Sequence, residues 1–312
     1  MKQTITKNWD ESKIPDQTGK TVLVTGANIG LGYETARMLA GKGAHVLMAC
    51  RNKARGTEAL NAIRTIHGNA KLDLFLLDLA DLESVARFPG ALRESGISRI
   101  DVLVNNAGIM MPPKRQTTKQ GFEAQFGINH LGHFALTRSV FDMLSPDARI
   151  VNVASGADRL GGINFDDLQW ETDYNPQKAY GQSKTANLLF THELTGRLAT
   201  AGSHITAVSA HPGMAETNLA TGSTFSKWIW LLKIMRVLRI GPQVQSAEMG
   251  ALPQTYAATD EIEPGAYYGP EKMYNGYPIR ADHHRAEHST NPDYAARLWE
   301  VSEKLTEGAF SI

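Results

Sequence analysis

The sequence predicts an α/β fold built on one doubly wound parallel sheet with helices on both faces. Three observations carry that prediction. Short β-rich apolar runs alternate with helix-length amphipathic segments, the pattern of βαβ units. The runs are apolar at nearly every position, as strands covered on both faces must be. A glycine-rich turn, Thr25-Gly26-Ala27-Asn28-Ile29-Gly30-Leu31-Gly32, separates the first run from the first helix-length segment.

Strands are expected at about 21–25, 45–49, 72–77, 100–104, 149–154 and 205–210. Helices are expected at 30–41, 53–67, 82–94, 119–144 and 178–199. Gly43 ends the first helix in the usual C-terminal manner. Pro264-Gly265-Ala266-Tyr267-Tyr268-Gly269 reads as a turn and a short last strand. Asn291-Pro292 reads as the start of a final helix running through Leu305. No repeat, low-complexity tract or linker divides the chain. One domain is expected over 20–312, with an N-terminal extension over 1–19. An elaborated segment is expected at about 214–241.

The 312 residues are 42% hydrophobic and 21% charged, an ordinary globular composition with length enough for a buried core. Lys plus Arg number 32 and Asp plus Glu 32, so no global basic excess points to nucleic acid. Cys50 is the only cysteine, which excludes an intramolecular disulfide and fits a reducing compartment. It lies in an apolar run and reads as a small buried hydrophobe. Residues 1–17 are polar and lack the apolar core of a signal peptide. No run approaches the roughly 20 apolar residues that span a bilayer. The nearest, 228–240, is interrupted by Lys233, Arg236 and Arg239. A cytoplasmic protein without an integral membrane segment is the expectation.

The glycine run follows Thr21-Val22-Leu23-Val24 and precedes Glu34-Thr35-Ala36-Arg37-Met38-Leu39. Strand, glycine turn and helix thus come in the order that binds a pyrophosphate. Glycines let the backbone approach the phosphates, and the helix N-terminus supplies N–H donors and the positive dipole end. The second strand ends at Cys50-Arg51-Asn52, roughly 20 residues further on, where an acidic residue would select NAD. Arg51 offers a guanidinium to a 2′-phosphate instead. NADP(H) is therefore preferred, with NAD(H) as the alternative. Asp78, in Leu77-Asp78-Leu79, either bonds the adenine amino group or caps the next helix. Asn105-Asn106-Ala107-Gly108 follows the fourth strand, where small residues and amides suit a backbone lying against the cofactor. A plain strand-exit turn uses the same residue types.

Strand five runs into Val151-Asn152-Val153-Ala154-Ser155-Gly156, placing Ser155 at the edge of the sheet where open α/β folds hold ligands. Tyr180 and Lys184 stand four apart on an expected helix, so their side chains share a face. An ammonium beside the phenol is expected to lower its pKa from about 10. The phenol then exchanges a proton near neutrality, and Ser155 positions the substrate oxygen.

In this ordered set of motifs the chain resembles the short-chain dehydrogenases/reductases, over roughly residues 20–217. These carry TGxxxGxG, NNAG, a serine after strand five and YxxxK on a Rossmann-type sheet. The ANIGLG turn, the Cys-Arg-Asn strand end and Ile128-Asn129-His130-Leu131-Gly132-His133-Phe134 resemble the retinol dehydrogenase-like branch. The resemblance implies that Asn129 orders a water relay to Lys184, completing a tetrad with Ser155 and Tyr180. It implies that Lys184 binds ribose hydroxyls, that Pro212-Gly213 lies beside the nicotinamide and that Thr217 contacts the carboxamide. It also places Asn28 in the phosphate loop and Ile109 near the cofactor. Related enzymes often pair through the helix carrying YxxxK, so a homodimer or a monomer is implied. Membrane-bound members often have an N-terminal hydrophobic anchor, which this sequence lacks.

Trp228-Ile229-Trp230-Leu231-Leu232-Lys233-Ile234-Met235 suggests a lid over a lipophilic substrate; a core helix or membrane-surface helix has the same composition. His283, His284 and His288 read as a solvated face, and no metal site is expected. The expected function is an NADP(H)-preferring oxidoreductase that interconverts an alcohol with an aldehyde or ketone, a carbonyl reductase in one direction. The alternatives are a redox-sensing NADP(H)-binding scaffold without catalysis and an isomerase or epimerase on the same fold.

Overall fold

The computed structural model describes residues 7–215 and 244–312; Thr217 and most of the expected lid, including 225–240, lie outside them. Among the described residues, eight strands form one sheet in the order β3-β2-β1-β4-β5-β6-β7-β8. They are β1 (Thr21–Thr25), β2 (His45–Cys50), β3 (Lys71–Leu76), β4 (Ile100–Asn105), β5 (Leu144–Val153), β6 (Thr206–Ala210), β7 (Tyr267–Lys272) and β8 (Asn275–Arg280). Pairing is parallel from β3 through β7, and β8 returns antiparallel on β7 as a hairpin. The predicted doubly wound α/β fold is the one observed. The strand order reverses between β1 and β4, which opens a crevice at their C-terminal ends.

Helices α1 (Gly30–Gly41), α2 (Lys53–Ile66) and α3 (Leu82–Glu94) follow the first three strands. Gly43 N donates to Ala40 O and Ala44 N to Leu39 O, closing α1 where predicted. Segment α4 (124–139) joins Ala124–Phe126, a π-helical stretch Gly127–Leu131 and α-helix Gly132–Ser139. Then come α5 (Pro176–Thr200), α6 (Ala247–Thr259) and α7 (Pro292–Leu305). Helices α1, α2 and α6 pack on one face of the sheet, through Met38, Leu39, Ile63, Leu252 and Ala257 among others. Helices α3, α4 and α5 pack on the other through Phe88, Phe134, Phe190 and Leu194, and Trp299 of α7 joins them.

Two expectations are corrected. Edge strand β3 is not apolar or buried throughout: Lys71, Asp73 and Leu76 are exposed at the sheet edge. The fourth helix starts at residue 124 rather than 119 and stops at Ser139, while Leu144 already pairs with Ile100 in the sheet. Helix α6 has no counterpart in the sequence reading. Apart from its first turn it is buried almost all round, so it lacks an amphipathic stripe, and Pro253 interrupts it. The described part of the N-terminal extension is built into the fold: Trp9 is buried, packs edge-on against Tyr256 and donates to Asp260 Oδ2 at 2.6 Å. Cys50 is buried as expected, and burial pushes its thiol pKa up.

Candidate active site

At the mouth of the crevice, the glycine turn joins β1 to α1. A Cβ on Gly32 would collide with Gly26 O and Asn106 Nδ2, so only glycine lets the two turns close on each other. The N-cap of α1 is Ile29, whose side chain makes no capping hydrogen bond and is exposed. The first N–H groups of α1 therefore face outward without a side-chain acceptor, beside Asn28, Gly30 and Leu31. That arrangement fits a pyrophosphate.

Asn106 Nδ2 donates to Thr25 O at 2.8 Å, and Asn106 N and Ala107 N both donate to Thr25 Oγ1 at 2.9 Å. Asn105 lies beneath them, buried, its amide donating to Asn152 Oδ1 and Thr137 Oγ1. The side chains of this run thus serve the scaffold and leave its backbone to the crevice. Arg51 is exposed at the tip of β2. Asn52, expected beside the cofactor, also caps α2, its Oδ1 accepting from Arg55 N. Asp78 does not cap α3: Asp81 does, accepting from Glu83 N, while Asp78 Oδ1 accepts from Ala80 N. Leu79 is buried against the chain at Gly132.

The chemical residues converge on the far side of β4. Ser155 is the N-cap of a 3-10 turn over Gly156–Leu160 and its Oγ accepts from Ala157 N at 3.2 Å. Tyr180 and Lys184 lie one turn apart on α5, with Lys184 Nζ 5.7 Å from the Tyr180 ring centroid. Tyr180 is only 8% exposed. Burial pushes its phenol up to about 12, and a hydrogen bond with Ser155 works against that rise. The expected lowering by Lys184 is therefore corrected: desolvation wins at the phenol. The same desolvation brings Lys184 down to about 8. Its Nζ donates to Val153 O at 3.0 Å, which Asn187 Nδ2 also reaches, at 3.1 Å.

Asn129 sits in the π-helical stretch. Its Oδ1 accepts from Ile109 N, its Nδ2 donates to Ile109 O and Ser183 Oγ, and its carbonyl accepts from His133 Nδ1. These bonds run to Ile109, Ser183 and His133 rather than to Lys184. A Cβ on Gly108 would nonetheless lie 3.0 Å from Asn129 Oδ1 and 3.9 Å from Lys184 Nζ, so the two groups flank one turn. On the opposite rim, Gly213 has φ +64°, and a Cβ there would meet Tyr274 O at 2.5 Å. Pro212 O accepts from Gln245 Nε2.

Two groups escaped the sequence reading. His133, buried, bridges Asn129 O and Thr25 Oγ1 and so links the chemical end to the glycine turn. Its position four residues after Asn129 was the available signal. His284 was read as solvated, yet it is buried against His211, at 3.2 Å between ring nitrogens. His283, His284 and His288 lie in short 3-10 turns rather than on one helix face.

Comparison with known proteins agrees with this geometry. The short chain dehydrogenase family model matches residues 20–227. Retinol dehydrogenase 13 of Homo sapiens is 42% identical over 300 residues, 92% of this chain and 84% of that protein. Retinol dehydrogenase 11 of Homo sapiens is 46% identical over 217 residues, 69% and 67% of the two chains. A solved structure of an uncharacterized protein from Mycobacterium Paratuberculosis is 39% identical, with TM-score 0.81 over 98% of this chain and 100% of that one. The chain therefore belongs to the short-chain dehydrogenases, in their retinol dehydrogenase-like branch, and is an NAD(P)-dependent oxidoreductase of alcohols and carbonyls.

Proposed function

We propose that the enzyme works with NADP(H) and reduces a lipophilic aldehyde or ketone, Tyr180 being the proton donor. One observation carries this: buried Tyr180 and Lys184 meet half-buried Ser155 at the edge of the sheet. A phenol pushed up to about 12 is fully protonated at neutral pH, the state that reduction requires of a proton donor. Named retinol dehydrogenases among the relatives support the lipophilic substrate class.

The pyrophosphate would rest on Gly26, Asn28, Ile29, Gly30, Leu31 and Gly32, with Asn106, Ala107, Gly108, Pro212 and Gly213 walling the crevice. When bound there, the cofactor supplies the hydride. Ser155 hydrogen-bonds the carbonyl oxygen, and Tyr180 Oη gives it a proton as negative charge develops. Lys184, held by Val153 O, places a positive charge beside the phenol and steadies the phenolate left behind. Activity with NADPH and a panel of lipophilic aldehydes and ketones tests the reading. Cofactor binding with no turnover on any of them would sink it.

Arg51 supports the preference for NADP(H), because it is exposed where a 2′-phosphate would lie. Arg51→Ala is expected to raise the NADPH KM tenfold or more, the loss of one charge-assisted hydrogen bond, and to leave the NADH KM within about twofold. Equal changes for both cofactors would overturn the assignment.

We further propose that the enzyme is monomeric. Helix α5, through which relatives were expected to pair, is buried within the chain from Ala179 to Thr191. Phe134, Phe190, Trp299 and Phe310 interlock there, and Arg197 lies over Trp299 at 4.3 Å. Light scattering on purified protein should give the mass of one chain at micromolar concentration; a stable dimer would contradict the proposal.

A further inference from the structure

Two loops carry the chemistry: the 3-10 turn that Ser155 opens, and the Pro212-Gly213 turn after β6. Both are tied to the same stretch, residues 282–290, which follows β8. On the Ser155 side the tie is Asp158. It is wholly buried, and its N–H donates to Ser155 O at 3.2 Å. Its Oδ2 accepts from Ala286 N at 2.7 Å and from Ser289 Oγ at 3.0 Å, and its carbonyl pairs with His288 Nε2 at 2.9 Å. Arg159, its neighbour, donates to His284 O through Nε and Nη2.

On the Gly213 side the tie is His211. Its Nδ1 accepts from Gly213 N at 3.3 Å, so in the neutral ring Nε2 carries the proton. That N–H donates to His284 Nδ1 at 3.2 Å. The His211 ring stacks on Tyr267, 4.9 Å between centroids, and a Cβ on Gly269 would strike it. The imidazole is thus fixed by β7 on one side and by His284 on another. His284 therefore serves both loops, through its carbonyl and through its ring. Packing alone does not call for such groups, since a buried carboxylate and two buried imidazoles cost desolvation that apolar residues would not.

We propose that residues 282–290 form a fixed bracket that sets the separation between Ser155 and the Pro212-Gly213 turn, with Asp158, His211 and His284 as its positioning residues. This rests on reading Ser155 as the substrate contact and Gly213 as a cofactor contact. The two ends of the bracket have different signatures. Loosening the Asp158 end displaces the serine and lowers kcat. Loosening the His284 end displaces the turn and weakens dinucleotide binding.

The test compares wild type with Asp158→Ala, Asp158→Asn, Ser289→Ala and His284→Ala. Turnover is followed with NADPH and nonanal, and NADPH Kd is measured separately by fluorescence. Asp158→Ala should lower kcat at least tenfold with Kd within twofold of wild type. Asp158→Asn keeps an acceptor oxygen for Ala286 and Ser289 and should recover most of the rate. Ser289→Ala removes one bond only, so it should fold and show a smaller loss of kcat, which serves if Asp158→Ala does not fold. His284→Ala should raise Kd at least fivefold and lower kcat less than threefold. Kinetics and Kd unchanged in all variants, with only the melting temperature reduced, would overturn the bracket. So would equal changes of kcat and Kd at both ends. A wild type that binds NADPH but leaves nonanal and the wider carbonyl panel unreduced would refute the activity instead, and the His284→Ala Kd would still test the bracket.

Discussion

Tyr180→Phe is expected to lower turnover by about 10²–10⁴-fold, the usual contribution of a positioned general acid, while NADPH binds as it does to wild type. The substitution removes one oxygen and leaves the ring in its buried place beside Lys184. What disappears is the phenolic proton held against Ser155, and with it the group able to neutralise a developing alkoxide. Rate constants with NADPH and a reducible aldehyde, alongside NADPH Kd, check this. Turnover near the wild-type value would remove Tyr180 from its assigned role. A large loss of NADPH affinity would show instead that the phenol is mainly a binding group.

The second large effect is on stability in acid. His130, His133 and His211 are fully buried, and burial holds their pKa values down to about 3, 4 and 3. In the unfolded chain each titrates near 6.5. Between those values the unfolded state binds more protons than the folded one, so stability is intact above pH 6.5 and falls as pH drops. At pH 5 each histidine withdraws about 2 kcal/mol. The three together approach the whole stability of an ordinary domain, about 5–15 kcal/mol. Buried Glu123, whose carboxyl is pushed up by burial, acts in the opposite direction and offsets part of the loss. Urea unfolding at pH 7.5 and pH 5.0 should show a loss of several kcal/mol. His130→Gln, which retains an amide for Ser302 Oγ, should flatten that pH dependence by about a third. Stability independent of pH over this range would contradict the mechanism.

What could be read from the sequence follows from how local each signal is. The glycine turn, the Tyr180–Lys184 spacing and Ser155 depend on backbone geometry within a few residues, and the structure brings them to one crevice. The two expected ends of α1 hold for the same reason. Helix α6 was illegible because a helix buried almost all round has no polar face to mark its period. The pKa of Tyr180 was misjudged because the spacing gives the neighbour's charge and not the depth of burial. His284 was misjudged because its partner, His211, lies far away in the chain and meets it only through the β7–β8 hairpin. The role of Asp158 was hidden likewise, since its carboxylate partners come from the last thirty residues.

Gln254 of α6 donates to Thr35 Oγ1 on α1 and to Asn106 Oδ1 on the turn after β4. Trp9 reaches Asp260 across 251 positions. The corner proposed to hold the pyrophosphate is therefore completed by residues synthesised long after it. Closing loops of that length comes late in folding, and folds dominated by such distant contacts acquire structure slowly. A fragment ending before residue 247 would contain every glycine of the motif and still lack the amide that locks the corner. Competence to bind dinucleotide should thus appear in refolding together with the last tertiary contacts, not with the first βαβ unit.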